Sequence, residues 1–130
     1  MTTGRRKARR EAVFALYQGD LMQRQRADVV GGSEAGAGAE RDPYQQRLIE
    51  GVLEHRQEID AELAARLEGW TLERLAPLER NILRVGAYEV RWVIDTPAAV
   101  AVAEAVALAK RYCSDEAGRL VNGVLGALVE

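Results

Sequence analysis

The sequence predicts an all-α protein, a compact antiparallel packing of helices around one central segment. Three observations predict it. All three prolines stand where helices begin: Pro43 and Pro97 follow the capping signals Asp42 and Asp95-Thr96, and Pro77 opens a long apolar-periodic run. Apolar residues recur at spacings of three and four along most of the chain, which is the period of a helical face. The one strand-like stretch, Trp92 to Ile94, is too short and has no partner run, so it reads as a helix end leading into a turn.

The first helix is expected from about Arg5 to about Gln25, with Thr2 or Thr3 as its cap. Arg5 and Arg9, and Arg6 and Arg10, are four apart and share one broad side. That side continues as Val13, Leu16 and Tyr17, which need a core. The first two turns are therefore expected to project beyond the packed body, with Ala8 and Ala12 on the back. Such a basic start opposes the helix dipole by roughly 0.3–1 kcal/mol per exposed cation. Folding alone would not select it. It is either a solubilising end or a contact for nucleic acid, and both readings leave the cations in solvent.

Residues 31–41 hold four glycines without periodicity and read as a flexible loop. No Gly-Lys-Ser/Thr ending follows and no strand precedes, which argues against a phosphate-cradling loop. Asp42-Pro43 then starts a helix whose apolar positions are Tyr44, Leu48, Val52, Ile59, Leu63 and Leu67. Gly51 permits a bend or a close helix contact. His55, the only histidine, stands among charges and reads as a surface residue. Gly69 ends this helix, and Thr71 caps a short turn through Leu75.

Pro77 opens the central helix. Leu78, Ile82 and Val85 form one apolar row and Leu83, Ala87 and Val90 a second, an arc wide enough to be buried among several neighbours. Val100, Ala103, Val106, Ala107 and Lys110 belong to the next helix, whose alanines allow close approach. Ser114 caps the last one, with a core face of Leu120, Val121, Val124 and Leu128. Asn122 and Gly123 interrupt it, and Gly123 is a candidate for close packing.

The 130 residues suit one domain, residues 1–130, and 48% apolar with 29% charged residues is a soluble balance. Aromatics are only 5%, so Leu, Val and Ala must build the core. No run is long and apolar enough to span a membrane, and no apolar segment follows the basic N-terminus to make a secretory signal. A single cysteine, Cys113, excludes an internal disulfide and fits a reducing, cytoplasmic setting. The net charge of −2 conceals an asymmetry. Arg5, Arg6, Lys7, Arg9 and Arg10 occupy the first ten positions without an acid, and the other positions carry 13 basic against 20 acidic residues. The body is acidic and the arm basic.

No catalytic constellation emerges. One histidine and one cysteine cannot assemble a metal site within a chain. Cys113 lies near Lys110 and Arg111, which could lower its pKa, but no second group supports a nucleophile, so it reads as a buried structural thiol. No cofactor is implied. Binding, rather than turnover, is the expected task.

Three blocks together resemble the NusB family. They are Arg-Arg-Lys-Ala-Arg-Arg-Glu-Ala-Val-Phe-Ala-Leu-Tyr at 5–17, Leu-Glu-Arg-Asn-Ile-Leu-Arg-Val-Gly-Ala-Tyr-Glu at 78–89, and the run from Pro97 through Val100-Ala101-Val102, Glu104-Ala105-Val106 and Leu108-Ala109-Lys110 to Leu120-Val121-Asn122-Gly123-Val124-Leu125. Ala103 stands where the family commonly has asparagine and Cys113 where glycine is frequent. Leu120 replaces a frequent phenylalanine and offers no ring for stacking on a base.

The resemblance implies two small helical bundles and a non-catalytic antitermination role. The implied partners are single-stranded boxA RNA, the small-subunit ribosomal protein acting as NusE, other Nus factors and RNA polymerase on ribosomal operons. It implies RNA contacts at Arg5, Arg6, Lys7, Arg9 and Arg10 and at Glu116, Arg119 and Leu120, with Tyr17 and Glu79 facing NusE. Two rival expectations stay open. One is a helical interaction module that only dimerises. The other is the RNA-binding module of a ribosomal-RNA cytosine methyltransferase, for whose S-adenosylmethionine domain 130 residues leave no room.

Overall fold

Helix α4, Pro77–Trp92, is the element on which the others pack, and every residue from Asn81 to Glu89 is buried in it. The coordinates are a computed structural model that describes residues 2–22, 29 and 41–129. Among these residues the chain forms α1 (Thr2–Met22), α2 (Pro43–Glu54), α3 (Arg56–Arg66), a short 3-10 turn (Leu72–Arg74), α4, α5 (Ala98–Tyr112) and α6 (Asp115–Val129). No described residue lies in a strand. Helices α1 and α2 pack on each other and on α4; α5 and α6 do the same from elsewhere on α4; α3 touches α2, α4 and α6. Two helical groups thus share one buried helix, as its two apolar rows require.

The core is aliphatic, as a chain poor in aromatics must make it. Leu48 and Ile49 of α2, Ile82 and Leu83 of α4, and Leu125 and Leu128 of α6 are among its most enclosed side chains. Each contributes roughly 1.5–3 kcal/mol by leaving water. The Asp42 carboxylate accepts from the backbone N–H groups of Tyr44 and Gln45, and the Ser114 hydroxyl accepts from that of Ala117. Both are the expected caps. Gly69 adopts φ +80°, two residues beyond the C-cap Leu67, where a side chain would be strained.

Several details differ from expectation. The helix expected from Pro43 to Leu67 breaks at His55 into α2 and α3. His55 is not a plain surface residue. Its ring stacks 4.2 Å from Trp92 and 6.2 Å from Tyr88, while Nδ1 lies 2.9 Å from Glu58. Pro97 takes the cap position of α5 itself, without a side-chain cap bond, because Thr96 is buried and bonded to Arg5 instead. Thr71 precedes the 3-10 turn but makes no capping bond. On α5 the buried residues are Ala101, Ala105 and Ala109, whereas Val100, Ala103 and Ala107 are exposed. On α6 Leu125 joins the expected face and Leu120 is only half-buried. Gly123 faces open space, so it makes no close contact. Apart from Arg41, the glycine-rich segment at 31–41 lies outside the described residues, as do the last residues expected for the first helix.

A polar network ties α1, α3 and α4 together. Asp20 accepts from Arg80, Asn81 and Arg84 at 2.9, 3.0 and 3.2 Å, and Arg84 also forks onto Asp60 at 2.9 and 3.1 Å. Burial pushes the Asp20 carboxyl up, but the hydrogen bonds from Arg80 and Asn81 and the nearby guanidiniums outweigh it and hold it below its ordinary value.

Gly51 and Gly123 make a paired test. A Cβ at Gly51 would overlap the Tyr88 ring, itself held beside the stacked Trp92 and His55 rings, whereas one at Gly123 meets nothing. Gly51→Ala is expected to destabilise by about 1–3 kcal/mol through overpacking. Gly123→Ala is expected to stabilise by up to about 1 kcal/mol through helix propensity. Urea unfolding of the two variants measures both signs.

Candidate nucleic-acid interface

The basic turns of α1 do not project. They lie against α4, the α4–α5 turn and α5, and the reason is the helical period. Ala8, Ala12, Val13 and Leu16 are all buried, and Arg9 falls on the same strip. A guanidinium there must enter the interior, and it does so against an acid. Arg9 is 3% exposed and Glu89 0%. Arg9 donates from Nε and Nη2 to the two Glu89 oxygens at 2.6 and 2.7 Å, a fork-on-fork pair. The Tyr44 hydroxyl donates to the same carboxylate and lies 3.3 Å from the Thr96 hydroxyl. Burial works against the Arg9 charge, yet the Glu89 hydrogen bonds and charge prevail and the guanidinium is held above its ordinary value.

Arg5 extends this network outward. It donates to the Thr96 hydroxyl at 2.8 Å and to Asp95 at 2.9 Å, and its guanidinium lies 4.2 Å over the Tyr44 ring. The hydrogen bond from Arg5 keeps the Asp95 carboxyl below its usual range. Arg6, whose side chain is 68% exposed, donates to Glu104 at 3.0 Å, and Arg9 lies 3.8 Å from the other Glu104 oxygen. Arg10 lies 3.5 Å from Glu11 at the surface. Among the described residues Lys7 is exposed and makes no ion pair. The five cations expected in solvent thus divide. Arg9 is structural, Arg5 is committed to Asp95 and Thr96, and Arg6, Lys7 and Arg10 remain within reach of a polyanion. Acids on three elements draw these cations in: Glu89 on α4 takes Arg9, Asp95 in the α4–α5 turn takes Arg5, and Glu104 on α5 takes Arg6.

The other expected residues gather elsewhere. Glu79, Glu116 and Leu120 line a depression of about 260 Å³ between the start of α4 and the start of α6, with Trp70 on its rim. Burial and then the neighbouring Glu116 push the Glu79 carboxyl up. Tyr17 is half-buried and meets Phe14 edge-on; Phe14 meets Tyr112 in the same way. Cys113, expected as a buried structural thiol, is exposed at the end of α5; partial burial of the thiol and then Glu79 push it up, so it is no activated nucleophile. Arg119 is exposed on α6. A second depression, about 470 Å³, lies between the first turns of α1 and the start of α5. Arg5, Arg6 and Glu104 border it, and Pro97, Val100 and Ala103 form its apolar part.

Sequence reasoning missed Glu89, Glu104, Asp95 and Trp70. Glu89 left a signal, since an acid inside the most apolar-flanked helix needs a cation. Trp70 left none beyond being a tryptophan in a short linker. Among the described residues no cluster of histidine, cysteine and carboxylates could hold a metal, and no helix is long and apolar enough to cross a membrane.

Known proteins of the same kind can be set beside this geometry. A family model described as the NusB family matches residues 6–130. The chain is 40% identical over 126 residues to the transcription antitermination protein NusB of Exiguobacterium sp., covering 97% of each. It is 41% identical over 121 residues to that of Geobacillus kaustophilus, covering 93% of this chain and 92% of the relative. Among solved structures, NusB of T. maritima superposes with a TM-score of 0.84 at 32% identity, over 96% of this chain and 89% of that one. A crystal structure of antitermination factors NusB and NusE in complex with double-stranded RNA gives 0.84 at 27% identity, over 99% and 98%.

Two outcomes test the site's division of labour. Arg9→Met leaves Glu89 buried and unpaired and is expected to destabilise by about 3–5 kcal/mol in chemical denaturation. Glu79 is held above its unfolded value, so its ionisation costs stability once pH rises through its folded value. Glu79→Gln is therefore expected to raise Tm at pH 7, with the gain disappearing below about pH 4, where the carboxyl is protonated in both states. A Tm gain independent of pH would mean that Glu79 acts by packing alone.

Proposed function

The chain belongs to the NusB family, and we propose that it is a non-catalytic transcription antitermination factor that binds boxA-type single-stranded RNA together with a small-subunit ribosomal protein acting as NusE. The single observation carrying this reading is the trio of exposed Arg6 and Lys7 and half-exposed Arg10 on a helix whose position is set by the buried Arg9–Glu89 pair. Anchored cations lose less freedom on meeting a phosphate than cations on a loose tail. A polyanion is the partner that an acidic body would otherwise repel, so a basic patch on such a body needs a use.

The depression around Glu79 and Glu116 has the opposite character. Two carboxylates against the single cation Arg74, with the indole of Trp70 and the aliphatic Leu120, suit a basic protein segment with an apolar side chain better than a phosphate. Glu116 and Leu120 therefore go with Glu79 and Tyr17 to the protein partner, while Arg119, exposed on α6, offers the RNA one further phosphate contact. In this reading, the protein partner brings positive charge that the acidic body lacks. Further Nus factors and RNA polymerase join around the assembled RNA, in the cytoplasm, on ribosomal operons.

Salt dependence tests the RNA contacts quantitatively. Each phosphate contact on a single strand contributes about −0.7 to the slope of log K against log salt. Five free cations would contribute about −3.5, but the three left accessible contribute about −2. The Arg6→Ala/Lys7→Ala/Arg10→Ala variant is expected to reduce the wild-type slope by that amount in fluorescence-anisotropy titrations with boxA-type RNA and NusE. A wild-type slope near zero, or an unchanged slope in the variant, would sink the assignment.

A further inference from the structure

We propose that the depression between α1 and α5 receives one unstacked base of the RNA, and that Glu104 reads the base's Watson–Crick edge with a preference for guanine. This rests on the RNA-binding reading and extends it from backbone contacts to base selection.

The shape comes first. A cavity of about 470 Å³ falls within the range of roughly 300–1,000 Å³ typical of small-ligand sites. Its apolar wall is Pro97, Val100 and Ala103, and Val100 is 40% exposed, a large aliphatic side chain that the protein itself does not cover. The depression opens beside the accessible cations of α1, since Arg6 borders it. A strand held at Arg6, Lys7 and Arg10 by its phosphates runs past its mouth.

Charge then decides which part of a nucleotide enters. Of the cations that line it, Arg5 is matched by Asp95 and Arg9 by Glu89, and only Arg6, paired with Glu104 but 68% exposed, can also reach a phosphate at the mouth. A phosphate entering would meet Asp95 and Glu104. A base carries no charge, has a face for the apolar wall and for the Arg6 guanidinium, and carries N–H donors for a carboxylate. Single-stranded recognition generally works through splayed bases stacked on such planes and bonded at their edges.

Glu104 fits the reading role. Its side chain is 20% exposed, and its two oxygens lie 3.0 Å from Arg6 and 3.8 Å from Arg9, which line the same depression. An ionised carboxylate accepts at about four positions, so two partners leave capacity for a ligand. Guanine presents N1–H and the N2 amino group side by side, two donors matching two carboxylate oxygens. Uracil offers one donor, N3–H, between two carbonyls. Adenine and cytosine set an amino group beside a ring-nitrogen acceptor, which a carboxylate repels. The paired oxygens of Glu104 therefore favour guanine.

The test uses the full chain at low salt with short oligouridylates carrying one central guanosine, inosine, adenosine or no substitution, followed by fluorescence anisotropy. Wild type is expected to bind the guanosine oligonucleotide about tenfold tighter than plain oligouridylate, a modest value for a bidentate base contact. Inosine, lacking the N2 amino group, loses most of that preference. In Glu104→Gln the ratio of guanosine to plain binding falls to about one. Ala103→Phe fills the depression with Glu104 in place and is expected to abolish the same ratio. Thermal unfolding of both variants checks that they fold. A ratio surviving in folded Glu104→Gln and Ala103→Phe overturns the inference, as does wild-type binding without guanosine preference. Wild type that binds none of the oligonucleotides overturns the inference, and if adding NusE restores no binding it overturns the RNA-binding reading as well.

Discussion

The buried ion pair between Arg9 and Glu89 is the constraint on which the rest of the functional surface depends. It joins residues 80 positions apart and fixes the first turns of α1 against α4. A forked guanidinium–carboxylate contact fixes direction as well as distance, so it sets how α1 is rotated about its own axis. With Arg9 turned inward, Arg6 and Arg10 must point along the flanks, and Lys7 outward. Tyr44 and Thr96 complete the hydrogen bonding, so no described buried side-chain polar atom is left without a partner. Replacing such a pair by apolar residues often preserves stability, which suggests that it is the geometry that matters here.

The same pair explains how the molecule keeps two binding chemistries apart. Acids on α4 and α5 neutralise the inward and flanking arginines, leaving a limited set of cations at the surface. At the start of α4 and α6 the carboxylates Glu79 and Glu116 line one groove together with Arg74, and burial followed by the Glu116 charge makes ionising Glu79 costly. A cationic side chain from outside would relieve that cost. The molecule thus carries a basic edge on α1 and, separately, a groove lined by two carboxylates and Arg74.

Much of this was legible in the sequence, and the part that was not follows a pattern. Helix starts at Asp42-Pro43, Pro77 and Ser114 were readable because caps are local. The centrality of α4 was readable because its apolar arc is wide. The basic turns were misread because five neighbouring cations look alike in one dimension, although Arg9 continues the strip of Ala12, Val13 and Leu16. Glu89 identifies the odd one, and it lies far away in sequence. The Asp20–Arg84–Asp60 network was hidden for the same reason. The close approach of α5 was readable from its alanines, but which of them face inward, Ala101, Ala105 and Ala109, is decided by the three-dimensional packing. The acidic groove, built from Glu79, Glu116 and Leu120 with Trp70, is long-range in the same sense.

The placement of the two tryptophans has an optical consequence. Trp92 is stacked against His55 and Tyr88 where α2 and α3 meet, a site that senses the integrity of the fold. Trp70 is 52% exposed on the rim of the acidic groove, where it senses solvent and whatever displaces it. An indole in water emits at longer wavelength than one shielded from it, so the chain carries two native fluorophores with separable environments. Unfolding and docking at the groove would change emission from different residues, without any attached dye.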